Sequence, residues 1–182
     1  MIKGYIFDYG GTLDTDGCHW GQMLWHAYER NNIQVSEQEF RDAYVYAERT
    51  LGNNTIIRPD FTFYKTLEVK IRLEMEWLMV HNKWKVTEAE YKEKHEEVLT
   101  DLYDKVKVIT THSRNVLTEL KKKYPMVLVS NFYGNINEVL KEFQMDSLFQ
   151  SVIESSVVGI RKPDHRIFTL GVKALGLKPE ET

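Results

Sequence analysis

Three short apolar runs interrupt a chain that is otherwise patterned at helical spacing. Ile2 to Phe7 is mostly apolar and stops at Asp8, where Gly10 and Gly11 let the backbone turn sharply. Met126-Val127-Leu128-Val129 is continuously apolar and stops at Ser130-Asn131, and Ser151-Val152-Ile153-Glu154 is a third, shorter run. Runs of this length bounded by turn residues predict strands.

Between the first and second runs the apolar positions recur at helical intervals. After the polar turn cluster Asp14-Thr15-Asp16-Gly17, Trp20, Met23, Leu24, Ala27 and Tyr28 share one helical face. Ser36-Glu37-Gln38-Glu39 is a capping box with Val35 and Phe40 placed as a hydrophobic staple. The stripe it opens runs through Phe40, Ala43, Tyr44, Ala47 and Leu51 to a stop at Gly52. A loop at Arg58-Pro59-Asp60 precedes a long segment from Phe63 to about His81, apolar at Leu67, Ile71, Met75 and Leu78. Thr87-Glu88-Ala89-Glu90 repeats the capping box, with Val86 and Tyr91 as staple and a helix through Val98, Leu99 and Leu102.

Four helices with no strand between them predict a small bundle inserted after the first strand. The pattern changes at Val106, so residues 1–14 and 106–182 form the expected core and 15–105 the expected insert. In the second part Val116, Leu117 and Leu120 mark a helix ending near Tyr124-Pro125, and Ile136, Val139, Leu140 and Phe143 mark another. Val157 to Asp164 leads into a last helix through Ile167, Phe168, Val172 and Leu175, ended by Gly176 and Pro179. Helix and strand alternate here, which predicts a parallel α/β layer.

Composition narrows the partners. With 182 residues, 42% hydrophobic and 28% charged, the chain has the makeup of a soluble globular protein. A net charge of -3 gives no footprint for nucleic acid. The one basic trio, Lys121-Lys122-Lys123, ends a predicted helix, where cations suit the dipole. Cys18 is the only cysteine, which rules out intrachain disulfides and favours a reducing compartment. Asp8 interrupts any signal-peptide core, and the longest uncharged run, Pro125 to Asn137, is too short and polar to span a bilayer. The expectation is a cytoplasmic protein acting on a small molecule, with no nucleic-acid or membrane partner.

Candidate chemistry gathers where the strands end. In open parallel sheets ligands bind beyond the carboxyl ends of the strands. Asp8 ends the first strand, Ser130 ends the second and Lys162 follows the third shortly after, so parallel strands would bring all three to one edge. Carboxylate, hydroxyl and ammonium together suit nucleophilic attack on a phosphoryl group, with Ser and Lys holding the charged oxygens.

Asp8-Tyr9-Gly10-Gly11-Thr12-Leu13, Val129-Ser130-Asn131 and Gly159-Ile160-Arg161-Lys162-Pro163-Asp164 resemble, in that order, the first three motifs of the haloacid dehalogenase-like (HAD) superfamily. The resemblance implies a Rossmann-like α/β core, with the helical insert as the cap of the superfamily's first subfamily. It also implies Asp8 as nucleophile and Mg²⁺ ligand, and Gly10 as a backbone-carbonyl ligand of the same Mg²⁺. Ser130 and Lys162 would hold the transferring group, while Gly11, Thr12 and Asn131 would bind the substrate or orient the loop. The implied activity is hydrolysis of a small phosphorylated metabolite through an aspartyl-phosphate at Asp8.

Two departures qualify it. Most phosphatases of the superfamily carry a second Asp where this chain has Gly10, and a positioned general acid–base is worth ~10²–10⁴-fold. Phosphonatase- or dehalogenase-like cleavage of a carbon–phosphorus or carbon–halogen bond needs no such acid and stands as the alternative, beside a binding relative without turnover. The superfamily's fourth, acidic motif would follow directly on Leu177 to Thr182, where the sequence stops. The expectation is therefore a shortened chain lacking the other Mg²⁺ carboxylates, with its first strand at a sheet edge and little Mg²⁺-dependent turnover.

The remaining polar residues read as structural. Lys65, Lys70 and Lys83 are expected to be solvated helix residues rather than Schiff-base lysines. Arg49 and Arg58 are expected to be exposed cations, and Trp20, Trp25, Trp77 and Trp84 packing residues of the insert. His19, His26, His81, His95, His112 and His165 lack metal-ligand spacing.

Overall fold

The computed structural model describes residues 1–182. Its sheet has three parallel strands in the order β1 (Tyr5–Phe7), β2 (Met126–Ser130), β3 (Ser151–Glu154). The register sets Phe7 opposite Leu128 and Ser130 opposite Glu154, so the carboxyl ends lie along one edge. β1 is an outer strand, as expected.

β2 is buried along its whole length because both faces are covered. Met126 and Leu128 pack into the main core, which also takes in the helical layer, while Val127 and Val129 pack with Ile153, Ile167 and Leu175 on the other side. That second face is closed by α7 (His165–Leu175). A Cβ at Gly171 would sit 2.9 Å from the side chains of Ile6 and Val129, so glycine is what lets this helix approach the sheet. Gly176, at φ 69, ends the helix in the left-handed conformation that the sequence stop signal predicts.

The inserted layer consists of α1 (Trp20–Arg30), α2 (Glu37–Asn53), α3 (Phe63–Val80) and the first part of α4 (Glu88–Lys121). Both capping boxes form. Ser36 Oγ accepts from the Glu39 N–H at 3.3 Å while Glu39 Oε2 accepts from the Ser36 N–H at 2.9 Å, and Thr87 and Glu90 repeat the exchange. Leu24, Met75, Leu78 and Leu102 are fully buried in this layer. Truncating any of them to alanine should cost about 2–5 kcal/mol.

One expectation is corrected. The two helices read on either side of Val106 are a single helix of 34 residues. No Gly or Pro falls between Glu88 and Lys121, and Val98, Leu102, Val106, Thr110 and Leu117 continue one buried face. The expected boundary at 105/106 therefore falls inside a rigid rod that joins the layers.

The short α5 (Ile136–Glu142) and α6 (Ser155–Val158) follow β2 and β3. Glu142, at the end of α5, accepts from the backbone N–H groups of Phe63 and Tyr64 and from the Tyr103 hydroxyl. A carboxylate there complements the positive end of α3 and pins that helix above the strand ends.

Candidate active site

The first turn after β1 determines where Asp8 points. Asp8 is extended, at φ -91 and ψ 156, and its Oδ1 accepts from the Tyr9 N–H at 2.8 Å. Gly11, at φ 81, turns the chain in the left-handed region that favours glycine. Gly10 differs: its φ of -67 suits any residue, and a Cβ there would meet nothing within 4 Å. Its glycine is thus a chemical choice rather than a steric one.

Lys162 Nζ lies 2.6 Å from Asp8 Oδ2 and donates to the Val129 carbonyl at 3.2 Å. The lysine's backbone is held by Asn131, whose Oδ1 accepts from the Lys162 N–H at 2.9 Å and whose Nδ2 donates to the Lys162 carbonyl at 3.2 Å. This reciprocal bond locks the loop after β3 to the end of β2. The pair stays open to a ligand, with side-chain exposure of 38% for Asp8 and 17% for Lys162.

Of the residues anticipated from sequence, Asp8, Asn131 and Lys162 are joined directly, and Gly10 and Gly11 line the adjoining cavity. Ser130 sits at the end of β2 but is fully buried, and its hydroxyl has no hydrogen-bond partner. Thr12 is exposed. Arg58 is paired with Asp60 on the surface, Lys65 with Glu68 and Lys83 with Glu39, while Arg49 is exposed.

The cavity, of about 190 Å³, lies between the strand-end loops and α1–α3. Its walls bring in residues that the sequence did not single out as functional. Asp14, placed in a turn cluster, is fully buried against it, accepting from the Gly11 N–H at 2.8 Å and from Trp20 Nε1 at 2.9 Å. Burial pushes its carboxyl up to about 7, against the pull of those two bonds. Trp20, expected only to pack, therefore also holds a site carboxylate. Lys70, expected to be solvated, is 7% exposed and paired with Glu48. Thr66, Lys70 and Glu74 are all buried at four-residue intervals on α3. That polar line beside the apolar stripe was the available signal.

The Mg²⁺ expectation can be tested against the donors. Mg²⁺ demands near-octahedral oxygen coordination and is bound through carboxylates. At the strand ends Asp8 offers the open carboxylate, and its oxygens are engaged by the Tyr9 N–H and Lys162. Asp14 is tied to Gly11 and Trp20, and no three His, Cys, Asp or Glu side chains gather into a cation site anywhere in the structure. Asp8 and the Gly10 backbone are thus the expected Mg²⁺ ligands that this structure places at the strand ends.

No curated protein is a significant match. Among solved structures, a dehalogenase superimposes with a TM-score of 0.55 at 16% identity, covering 99% of this chain and 74% of that one. An L-2-haloacid dehalogenase superimposes with a TM-score of 0.54 at 15% identity, covering 99% and 75%. A predicted phosphoglycolate phosphatase from Haemophilus somnus 129pt covers 99% and 74% at 19% identity, but its TM-score of 0.46 is too loose to carry an argument. The two dehalogenase likenesses show a shared fold, the Rossmann-like α/β core with a helical cap. The model of the haloacid dehalogenase-like hydrolases matches residues 2–182, nearly the whole chain. With the three motifs meeting at one end of a parallel sheet under a helical cap, the chain belongs to the haloacid dehalogenase-like hydrolase family.

Proposed function

We propose that the protein hydrolyses a small substrate in two steps through a covalent bond to Asp8, with a leaving group that departs without a proton from the protein. The observation that carries this is the Asp8–Lys162 contact at 2.6 Å, beside the open position at Gly10. An Asp8 oxygen attacks the electrophilic atom, and the bond to the leaving group breaks with its electron pair going to that group. Lys162 orients the carboxylate and offsets negative charge on the reacting atoms. Water then cleaves the intermediate, releasing product and a proton and restoring Asp8.

In a phosphorylated metabolite the intermediate is an aspartyl-phosphate, and acyl or aryl phosphates fit better than alkyl esters, whose alkoxide wants a general acid. Gly10 favours a second reading, displacement at carbon, which gives an aspartyl ester and a halide ion. Carbon–halogen cleavage is the reaction for which the two dehalogenases are named, and it calls for no acid at residue 10.

The expected division of labour assigns residues 15–105 to substrate enclosure and residues 1–14 and 106–182 to chemistry, with α4 shared. The test is a panel of acyl, aryl and alkyl phosphates, phosphonates and haloalkanes, with and without Mg²⁺, on the wild type and on Asp8→Asn. Turnover that falls steeply as the leaving group becomes more basic, and that vanishes in Asp8→Asn, supports the proposal. Efficient alkyl-ester hydrolysis, or activity surviving Asp8→Asn, overturns it.

A further inference from the structure

The cavity wall facing the strand ends carries a second lysine–carboxylate pair, outside the three motifs. Glu48 of α2 is paired with Lys70 of α3 and accepts from the Tyr133 hydroxyl at 3.2 Å and 3.3 Å. Lys70 Nζ lies 4.9 Å from the centre of the Tyr44 ring and 5.7 Å from that of Trp20, so aromatic faces complete its surroundings. Burial pulls the Lys70 ammonium down, but the Glu48 carboxylate and the neighbouring oxygens more than offset this and keep it charged. Burial likewise pushes the Glu48 carboxyl up, and Lys70 and Tyr133 bring it below its ordinary value. The wall is therefore a zwitterion with no surplus charge.

This neutrality bears on what the cavity can accept. Lys70 is the only lysine or arginine lining it, and Glu48 already holds it. His19 is engaged in capping α1, its Nδ1 accepting from the Gly21 N–H at 3.0 Å. Arg161 adds to the field at Glu48 but is exposed and outside the lining. A substrate carboxylate would thus be desolvated beside Glu48 and Asp14 without a cation of its own. A hydroxyl fits both members of the pair, donating to Glu48 and accepting from Lys70.

We propose that Glu48, Lys70 and Tyr133 bind an uncharged, hydroxyl-bearing part of the substrate and discriminate against substrates that carry a carboxylate there. The proposal rests on Asp8 being the reacting group, because the cavity that this wall lines adjoins Asp8 through Gly10 and Gly11.

The test uses pairs of compounds with one scissile group and two far ends: 2-hydroxyethyl phosphate against phosphoglycolate, and 2-chloroethanol against chloroacetate. Binding is measured by calorimetry on Asp8→Asn, where nothing is turned over, with the wall intact and with Glu48→Gln added. With the wall intact, a hydroxyl compound should bind at least ~10-fold tighter than its carboxylate partner in at least one pair. Glu48→Gln frees Lys70 and should reverse that preference. If the added substitution prevents folding, Glu48→Gln with Lys70→Met leaves no charge in the wall and should shrink the preference to about twofold or less.

Tighter carboxylate binding with the wall intact, equal or absent binding in both pairs, or a preference unmoved by the substitutions overturns the proposal. The underlying reading fails separately. If the hydroxyl preference and its reversal hold while no compound is turned over through Asp8, the wall stands and the Asp8 chemistry does not.

Discussion

Two lysine–carboxylate pairs flank the cavity, and the same residue types do opposite things in them. Asp8–Lys162 sits at the strand ends, partly open, on turns fixed by Gly11 and by the reciprocal Asn131 bond. Glu48–Lys70 joins two cap helices, with the lysine nearly buried among aromatic rings. The first pair leaves its carboxylate reachable by an electrophile. The second neutralises itself and offers a substrate only hydrogen bonds. Exposure and backbone support, rather than residue type, separate a candidate nucleophile from a recognition element.

The comparison breaks most sharply at the open pair. Asp8→Asn should lower turnover by at least ~10³-fold, since a nucleophile acting with its partners is not replaced by an amide. Lys162→Met should cost ~10²–10³-fold, comparable to losing one preorganised donor at a site of developing charge. Steady-state kinetics on any compound the panel finds active checks both. Equal, small losses in the two variants would place the chemistry elsewhere.

Restoring the missing acid sharpens the contrast. Gly10→Asp is sterically free, so stability should stay within about 0.5 kcal/mol while alkyl-phosphate hydrolysis rises ~10–10²-fold. Haloalkane turnover should not rise. Rates measured across a leaving-group series, alongside thermal melts, decide this.

Deeper in the cap, Glu74 offers a test through stability. It is fully buried, accepts from the Tyr28 hydroxyl at 3.3 Å, and burial raises its carboxyl to about 8 despite the pull of Lys70. An acid raised on folding binds protons more tightly in the native state, so stability falls as pH climbs from about 4.5 to about 8. Asp14 adds a loss in the same direction up to about 7. Glu74→Gln should flatten the Glu74 part of the slope and stabilise the protein at pH 8 by roughly 1–4 kcal/mol, read from urea melts between pH 5 and 8. A wild-type stability that rises across this range would contradict the burial argument.

The meeting of Asp8 and Lys162 was legible because each follows a short apolar run, and parallel strands bring their carboxyl ends together. The four cap helices were legible through capping boxes and stripes, which are local. The unity of α4 was missed because a polar stretch around Val106 looked like a boundary, although nothing in it breaks a helix. The burial of Lys70 was missed because its partner lies on another helix, and periodicity marks a lysine as polar without saying what it faces. Ser130 ends its strand as the sequence indicates, but the burial of its hydroxyl without a partner is tertiary information that the motif does not carry.

The central claim is a covalent bond to Asp8, and trapping tests it most directly. Hydroxylamine added during turnover of an active substrate converts an aspartyl ester or aspartyl-phosphate into a hydroxamate, which peptide mass analysis locates. The account predicts the modification on the peptide carrying Asp8, dependent on substrate and absent from Asp8→Asn. Sustained turnover with no modified Asp8 would contradict it.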